Sequence, residues 1–130
     1  MNHRKSLKLK GTRYKSVWEL DVSKLLEELD IPVEYETDKI PYTIPESSHK
    51  YTPDFKLRKD VYIEAKGKFV AQDRKKILLL QEQYPNLKVY LLFQNANQKL
   101  RKGSKTSYGE WCSKNGIEWS HKTIKKEWLT

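Results

Sequence analysis

Sulfur and imidazole are scarce in this chain. Cys112 is the single cysteine among 130 residues. One cysteine excludes an intramolecular disulfide and any cysteine-rich zinc site, and it fits a reducing cytoplasm. The three histidines, His3, His49 and His121, are scattered without metal-ligand spacing. No apolar run approaches the roughly 20 residues needed to span a bilayer. Met1-Asn2-His3-Arg4-Lys5 has no apolar stretch behind it to make a secretion signal. The expectation is an intracellular, soluble chain without a membrane partner. Internal repeats and low-complexity segments are also absent. Acidic residues are outnumbered, 17 against 26 Lys plus Arg, for a net charge of +9 and an isoelectric point near 9.5. Such an excess predicts an acidic partner, nucleic acid first and an anionic membrane surface second. The length suits one domain with a modest core.

Residues 1 to 15 carry Arg4, Lys5, Lys8, Lys10, Arg13 and Lys15 among few apolar residues, which predicts a flexible basic arm able to contact phosphate. Ser16-Val17-Trp18-Glu19 has capping-box spacing, and Trp18, Val22, Leu25, Leu26 and Leu29 follow at helical period, so a helix is expected over 17–29. Asp30-Ile31-Pro32 stops it, and Val33-Glu34-Tyr35-Glu36 alternates as a strand. The stretch 39–50 contains Pro41 and Pro45, which deny full ladder bonding and make it an edge strand or connector. A second helix is expected over 71–84, beginning with Arg74-Lys75-Lys76 and ending before Pro85. Leu87 to Phe93 is apolar almost throughout, as in a central strand buried on both faces. Gln94 to Thr106 is a polar loop carrying Lys99, Arg101, Lys102 and Lys105 around Gly103. Ser107-Tyr108-Gly109-Glu110 repeats the capping-box spacing before a short helix through Lys114. Ile117 to Ser120 reads as extended, and 124–129 as a last helical turn. Trp111, Trp119 and Trp128 are candidates for base stacking, although core packing is the stronger expectation. The order of elements implies an α/β (α+β) fold with helices against a mixed sheet.

Chemistry concentrates in Tyr51 to Lys66. Tyr51, Pro53, Phe55 and Leu57 alternate with Thr52, Asp54 and Lys56, and Val61, Ile63 and Ala65 alternate with Tyr62, Glu64 and Lys66, so the stretch reads as a hairpin. With Arg58-Lys59-Asp60 as a three-residue loop, Leu57 pairs with Val61 and Asp54 falls opposite Glu64, with Lys66 on the same face. Two carboxylates about 5 Å apart at an effective dielectric of about 20 repel by roughly 3 kcal/mol. A divalent cation such as Mg²⁺ reverses that cost; neutralisation by Lys66 or Lys56 on a solvated face is the alternative. Phosphodiester hydrolysis needs an activated water, stabilised phosphate charge and help for the leaving oxygen. Asp54, Glu64 and Lys66 meet that need, and the Ala65 carbonyl is a further oxygen ligand. Glu19 has two candidate roles on spacing alone, as helix cap or as a contributor to this site.

Pro53-Asp54, nine residues, then Glu64-Ala65-Lys66 resembles the signature of the PD-(D/E)xK nuclease superfamily. Pro45 to Phe55, Glu64-Ala65-Lys66-Gly67, Asp73-Arg74-Lys75-Lys76 and Ser107-Tyr108-Gly109-Glu110-Trp111-Cys112 together resemble the endonuclease I family of tailed phages, over about residues 16–129. The resemblance implies a Holliday-junction resolvase, a structure-selective endonuclease that makes paired cuts in four-way and other branched DNA in the host-cell cytoplasm. It implies a PD-(D/E)xK-like core over 16–130 in an intertwined, domain-swapped homodimer, with about 16–44 exchanged and 44–50 as the bridge. It also implies two Mg²⁺ (or Mn²⁺) per active site. Asp54, Glu64, the Ala65 carbonyl and Glu19 of the other chain are then the ligands, and Glu19, Asp54, Glu64 and Lys66 the catalytic set. Expected DNA contacts are Arg13, Lys15, Ser16, Arg74, Lys75, Lys99, Arg101, Lys102 and Lys105. Two features depart from the family: the chain stops at Thr130 where members commonly continue into a basic tail, and Val17-Trp18 before Glu19 is bulkier. The competing readings are a restriction- or mismatch-type nuclease of the same superfamily, and a non-catalytic basic DNA-binding module.

Overall fold

The fold is given by a computed structural model, which describes residues 7–44 and 47–130. Its centre is a five-stranded sheet in the order β3-β6-β7-β8-β9, formed by Glu34–Tyr35, Phe55–Arg58, Val61–Lys66, Lys88–Phe93 and Trp119–His121. β3, β6 and β7 run antiparallel, whereas β8 and β9 join as parallel strands after helical crossovers, so the sheet is mixed as expected. Helix α1 (Val17–Glu28) covers one face, and α2 (Ala71–Gln83) and α3 (Tyr108–Lys114) pack on the other.

The near-continuous apolar run of β8 has its explanation in this layering. Leu91 and Phe93 enter the core with Ile77, Leu80, Tyr108 and Cys112, while Tyr90 and Leu92 enter the opposite core with Leu20, Val22, Leu26 and Phe55. Alternate side chains face opposite sides of a strand, so a strand buried on both faces has no polar position to spare. Trp128 is fully buried and stacks on Tyr90 with centroids 4.7 Å apart. Trp111 and Trp119 pack against the other core, so all three tryptophans follow the packing alternative. Gly109 is demanded by that packing, since a Cβ there would lie 2.6 Å from the Trp119 ring.

The hairpin of β6 and β7 differs from expectation in its loop. Arg58, not Leu57, pairs with Val61, leaving Lys59 and Asp60 as a two-residue connection, with Asp60 at φ +62°. Such a loop alone would reverse the parity of β6 and send Asp54 to the wrong face. A bulge at Leu57 adds the missing residue, and the expected register returns at Lys56↔Tyr62 and Phe55↔Ile63. Asp54 therefore still falls beside Glu64.

Two other stretches are more structured than their composition suggests. Of the expected basic arm, residues 1–6 lie outside the described residues. From Leu7 onward, Lys8–Leu9 (β1) and Thr12–Arg13 (β2) form a small hairpin. Tyr14 behind it is buried, edge-on to Tyr35 at 4.4 Å, with its hydroxyl accepting from Ser23 Oγ at 2.8 Å. That aromatic anchor holds a segment whose charges gave no sign of order. The proline-containing stretch forms a two-stranded antiparallel sheet, β4 (Ile40–Ile44) with β5 (Ser47–Tyr51). The bridge expected over 44–50 thus falls partly on residues 45–46, outside the described residues. The Gln83 side-chain amide binds β4 twice, accepting from Thr43 N at 2.7 Å and donating to Thr43 O at 2.5 Å.

Candidate active site

Asp54 ends the turn into β6 and is held by its neighbours on β7. Its carboxylate accepts from Ala65 N–H at 3.0 Å, and its own N–H donates to Glu64 Oε1 at 3.1 Å. The second donor to Glu64 Oε1 is the buried Tyr51 hydroxyl at 2.8 Å. Lys66 Nζ lies 3.8 Å from Glu64 Oε2 and 3.3 Å from Asp73 Oδ1 on α2. The two acids and the lysine expected from the hairpin are therefore together.

Glu19 joins them from α1. Ser16 caps that helix by accepting from Glu19 N–H at 3.1 Å. The Glu19 carboxylate accepts from the Ser16 hydroxyl at 3.2 Å and from the Tyr35 hydroxyl at 2.7 Å. It is buried, and one of its oxygens clusters with oxygens of Glu36 and Asp54, all within 4.8 Å of one another. Cap and site are thus both served, the first by the backbone of Glu19 and the second by its side chain.

Glu36 was not anticipated. It stands past the end of β3 at φ +50°, a conformation rare for a non-glycine residue, and its N–H donates to Asp54 O at 3.0 Å. Its one sequence-level signal is its place at the end of an alternating strand, which many surface acids share. Lys15 also enters the cluster, 2.7 Å from Glu36 Oε2 and 3.6 Å from Asp54 Oδ1. Burial draws the Lys15 ammonium down, but Glu36, Asp54 and Glu19 outweigh it and hold the group above its ordinary range.

The electrostatics are those of a crowded acid site. Burial, then the charges of Glu64 and Glu19, push Asp54 up to about 9 against the pull of Lys15. Burial also raises Glu64, opposed by the Lys66 ammonium and the Tyr51 hydrogen bond. Buried carboxylates whose affinity for protons is raised this far are common where function requires them. The donors are all oxygen, which suits a hard divalent cation better than a thiophilic one.

The expected DNA contacts are dispersed. Arg13 and Lys75 are exposed on β2 and α2, and Ser16 is engaged as the α1 cap. Arg74 Nη1 donates to Phe69 O at 2.7 Å, closing the loop before α2. Lys99 Nζ donates to Lys105 O at 3.2 Å across the loop that exposes Arg101, Lys102 and Lys105. Among the described residues, no helix is long and apolar enough to cross a membrane.

A mixed α/β chain of strong positive charge, gathering buried carboxylates beside lysines, has the make-up of a nuclease. Comparison with known proteins gives the family. The family model for phage endonuclease I matches residues 1–130, and the chain belongs to that family. It is 48% identical over 116 residues to Endonuclease I of Escherichia phage T7, covering 89% of this chain and 78% of that protein. It is 51% identical over 114 residues to Endodeoxyribonuclease 1 of Enterobacteria phage T3, covering 88% and 75% respectively.

Proposed function

We propose that this chain is a metal-dependent, structure-selective DNA endonuclease that resolves four-way junctions and other branched DNA in the host-cell cytoplasm by paired cuts. The observation that carries the chemistry is the convergence of Glu19, Glu36 and Asp54 oxygens within 4.8 Å, beside the Asp54–Glu64 pair. Asp54, Glu64, Glu19 and the Ala65 carbonyl would hold Mg²⁺ or Mn²⁺, two per site. Bound there, the ions supply Lewis-acid stabilisation and a more acidic water. Lys66 would orient the attacking water or steady charge on the phosphate, and Asp73 holds the lysine in place, 3.3 Å away. Tyr51 fixes Glu64 Oε1, so that Oε2 faces Lys66. The exposed cations Arg13, Lys75, Arg101, Lys102 and Lys105, with Lys15, Arg74 and Lys99 after side-chain movement and Ser16 by its hydroxyl, grip the backbone of the arms. Such contacts select shape rather than base sequence.

The working unit in this reading is a homodimer with a PD-(D/E)xK-like core in which residues of about 16–44 are exchanged. One observation supports it: the β4–β5 ladder pairs Ile40 with Tyr51, Thr43 with Ser48 and Ile44 with Ser47, so the same strands of two copies can pair with each other in the same register. Exchange preserves each contact of Glu19 with Asp54 and makes it intermolecular.

Purified protein incubated with Mg²⁺ and a four-way junction, alongside a linear duplex of the same sequence, tests the activity. Selective cleavage of the junction is expected; no cleavage, or equal cleavage of both, refutes it. Mixing Glu19→Ala with Asp54→Ala chains tests the exchange, because a heterodimer regains one intact site. Two inactive variants that show no rescue on mixing, under conditions where subunits demonstrably re-pair, argue for sites built within one chain.

A further inference from the structure

The acid cluster already contains a cation of the protein's own. Lys15 Nζ lies 2.7 Å from Glu36 Oε2 and 3.6 Å from Asp54 Oδ1, two of the three carboxylates that converge within 4.8 Å. We infer that Lys15 is a resident counter-ion occupying the seat of a divalent cation, and that metal loading displaces its ammonium toward the phosphate backbone of bound DNA. The inference rests on the metal-nuclease reading above.

Three features of the surroundings support displacement over a permanent ion pair. The backbone of Lys15 is pinned: its N–H donates to the Tyr35 hydroxyl at 3.2 Å, Tyr14 before it is buried, and Ser16 after it caps α1. The side chain is 60% exposed, so its flexible stem can swing out with little loss of packing. Glu19 keeps the Tyr35 and Ser16 hydroxyls whether or not the ammonium is present, whereas, among the described residues, Lys15 is the cation ion-paired with both Glu36 and Asp54. The Glu36 carboxylate, beside Asp54, therefore exchanges one cation for another.

Glu36 is placed for that exchange. Its φ of +50° and its N–H bond to Asp54 O turn the end of β3 toward the site. A non-glycine residue in this conformation is retained where surrounding structure compels it, often at functional positions. An ammonium 2.7 Å from Glu36 Oε2 crowds the space a metal would take, and two cations within a few ångströms repel. Metal and Lys15 then compete, and the competition couples metal binding to DNA binding: in the metal-free site Lys15 offsets part of the acidic charge, and the loaded site presents a lysine to the incoming phosphate.

Calcium titration calorimetry on the full chain, without DNA, tests this independently of turnover. Lys15→Met and Lys15→Gln are both expected to bind Ca²⁺ about tenfold more tightly than wild type, within the usual span of coupling between sites. Amine acetylation followed by mass spectrometry is expected to label Lys15 faster in saturating Ca²⁺. Lys10, ion-paired with Glu27 outside the site, serves as the internal reference. Unchanged or weaker Ca²⁺ binding in both variants, or labelling of Lys15 that does not rise relative to Lys10, overturns the inference. Asp54→Asn separates the two levels: if it binds Ca²⁺ as well as wild type, the metal-site reading itself fails, and the role of Lys15 with it.

Discussion

Replacing Asp54 by asparagine should change how the stability of the metal-free protein depends on pH. Carboxylate oxygens of Glu19 and Glu36 lie within 4.8 Å of Asp54. At an effective dielectric of about 20, each such ionised pair is worth about 3.5 kcal/mol of repulsion. Burial first, then the charges of Glu64 and Glu19, push the Asp54 carboxyl up to about 9 in the folded state, whereas the unfolded chain releases the proton near 3.8. A folded-state pKa raised above the unfolded one gives stability that is full below the unfolded value and is lost as pH rises through the folded one. Between these limits one proton more is bound by the folded state, and the cost is about 1.4 kcal/mol per pH unit. Glu64 is displaced in the same direction and adds to the slope. Urea unfolding in EDTA at pH 5, 6, 7 and 8 should show wild-type stability falling with pH, and Asp54→Asn falling less steeply by about one proton. The asparagine carbonyl still accepts from Ala65 N–H, so the fold is kept. Parallel slopes for the two proteins would show that Asp54 ionises normally and that the cluster is not strained by like charge.

Metal binding at neutral pH should release protons, because a cation replaces the one held by Asp54; calorimetric heats in buffers of different ionisation enthalpy measure their number. Asp54→Ala and Glu64→Ala should abolish junction cleavage in Mg²⁺ while gel-shift binding of the junction persists, since the exposed cations are untouched. Gly109→Ala places a methyl 2.6 Å from the Trp119 ring and should cost about 1–3 kcal/mol in urea unfolding. Trp128→Ala empties a fully buried site stacked on Tyr90 and should cost about 3–5 kcal/mol.

Much of the framework is legible residue by residue. The helical period from Trp18 to Leu29, the caps Ser16 and Ser107, and the apolar run ending at Phe93 each identify an element whose observed bounds differ by at most one residue from those expected. The pairing of Asp54 with Glu64 was also readable, although by a route the composition did not reveal. A two-residue turn and a bulge at Leu57 together make the shift that a three-residue loop would have made. Bulges depend on how a strand must twist against its neighbours, and no periodicity marks them in advance.

What the sequence by itself determined is what local physics decides: alternation placing Asp54, Glu64 and Lys66 on one hairpin face, and a net charge of +9. Tertiary structure alone decided that Glu36 and Lys15 complete the cluster. Glu36 stands just past β3 and Lys15 between β2 and the cap of α1, and local pattern does not distinguish either from a solvated surface group. Tyr14 packs edge-on to Tyr35, and Tyr35 and Glu34 pair with β6; this long-range packing carries an ammonium and a carboxylate to Asp54. Contacts between distant segments depend on which surfaces bury each other, and local pattern does not encode that choice.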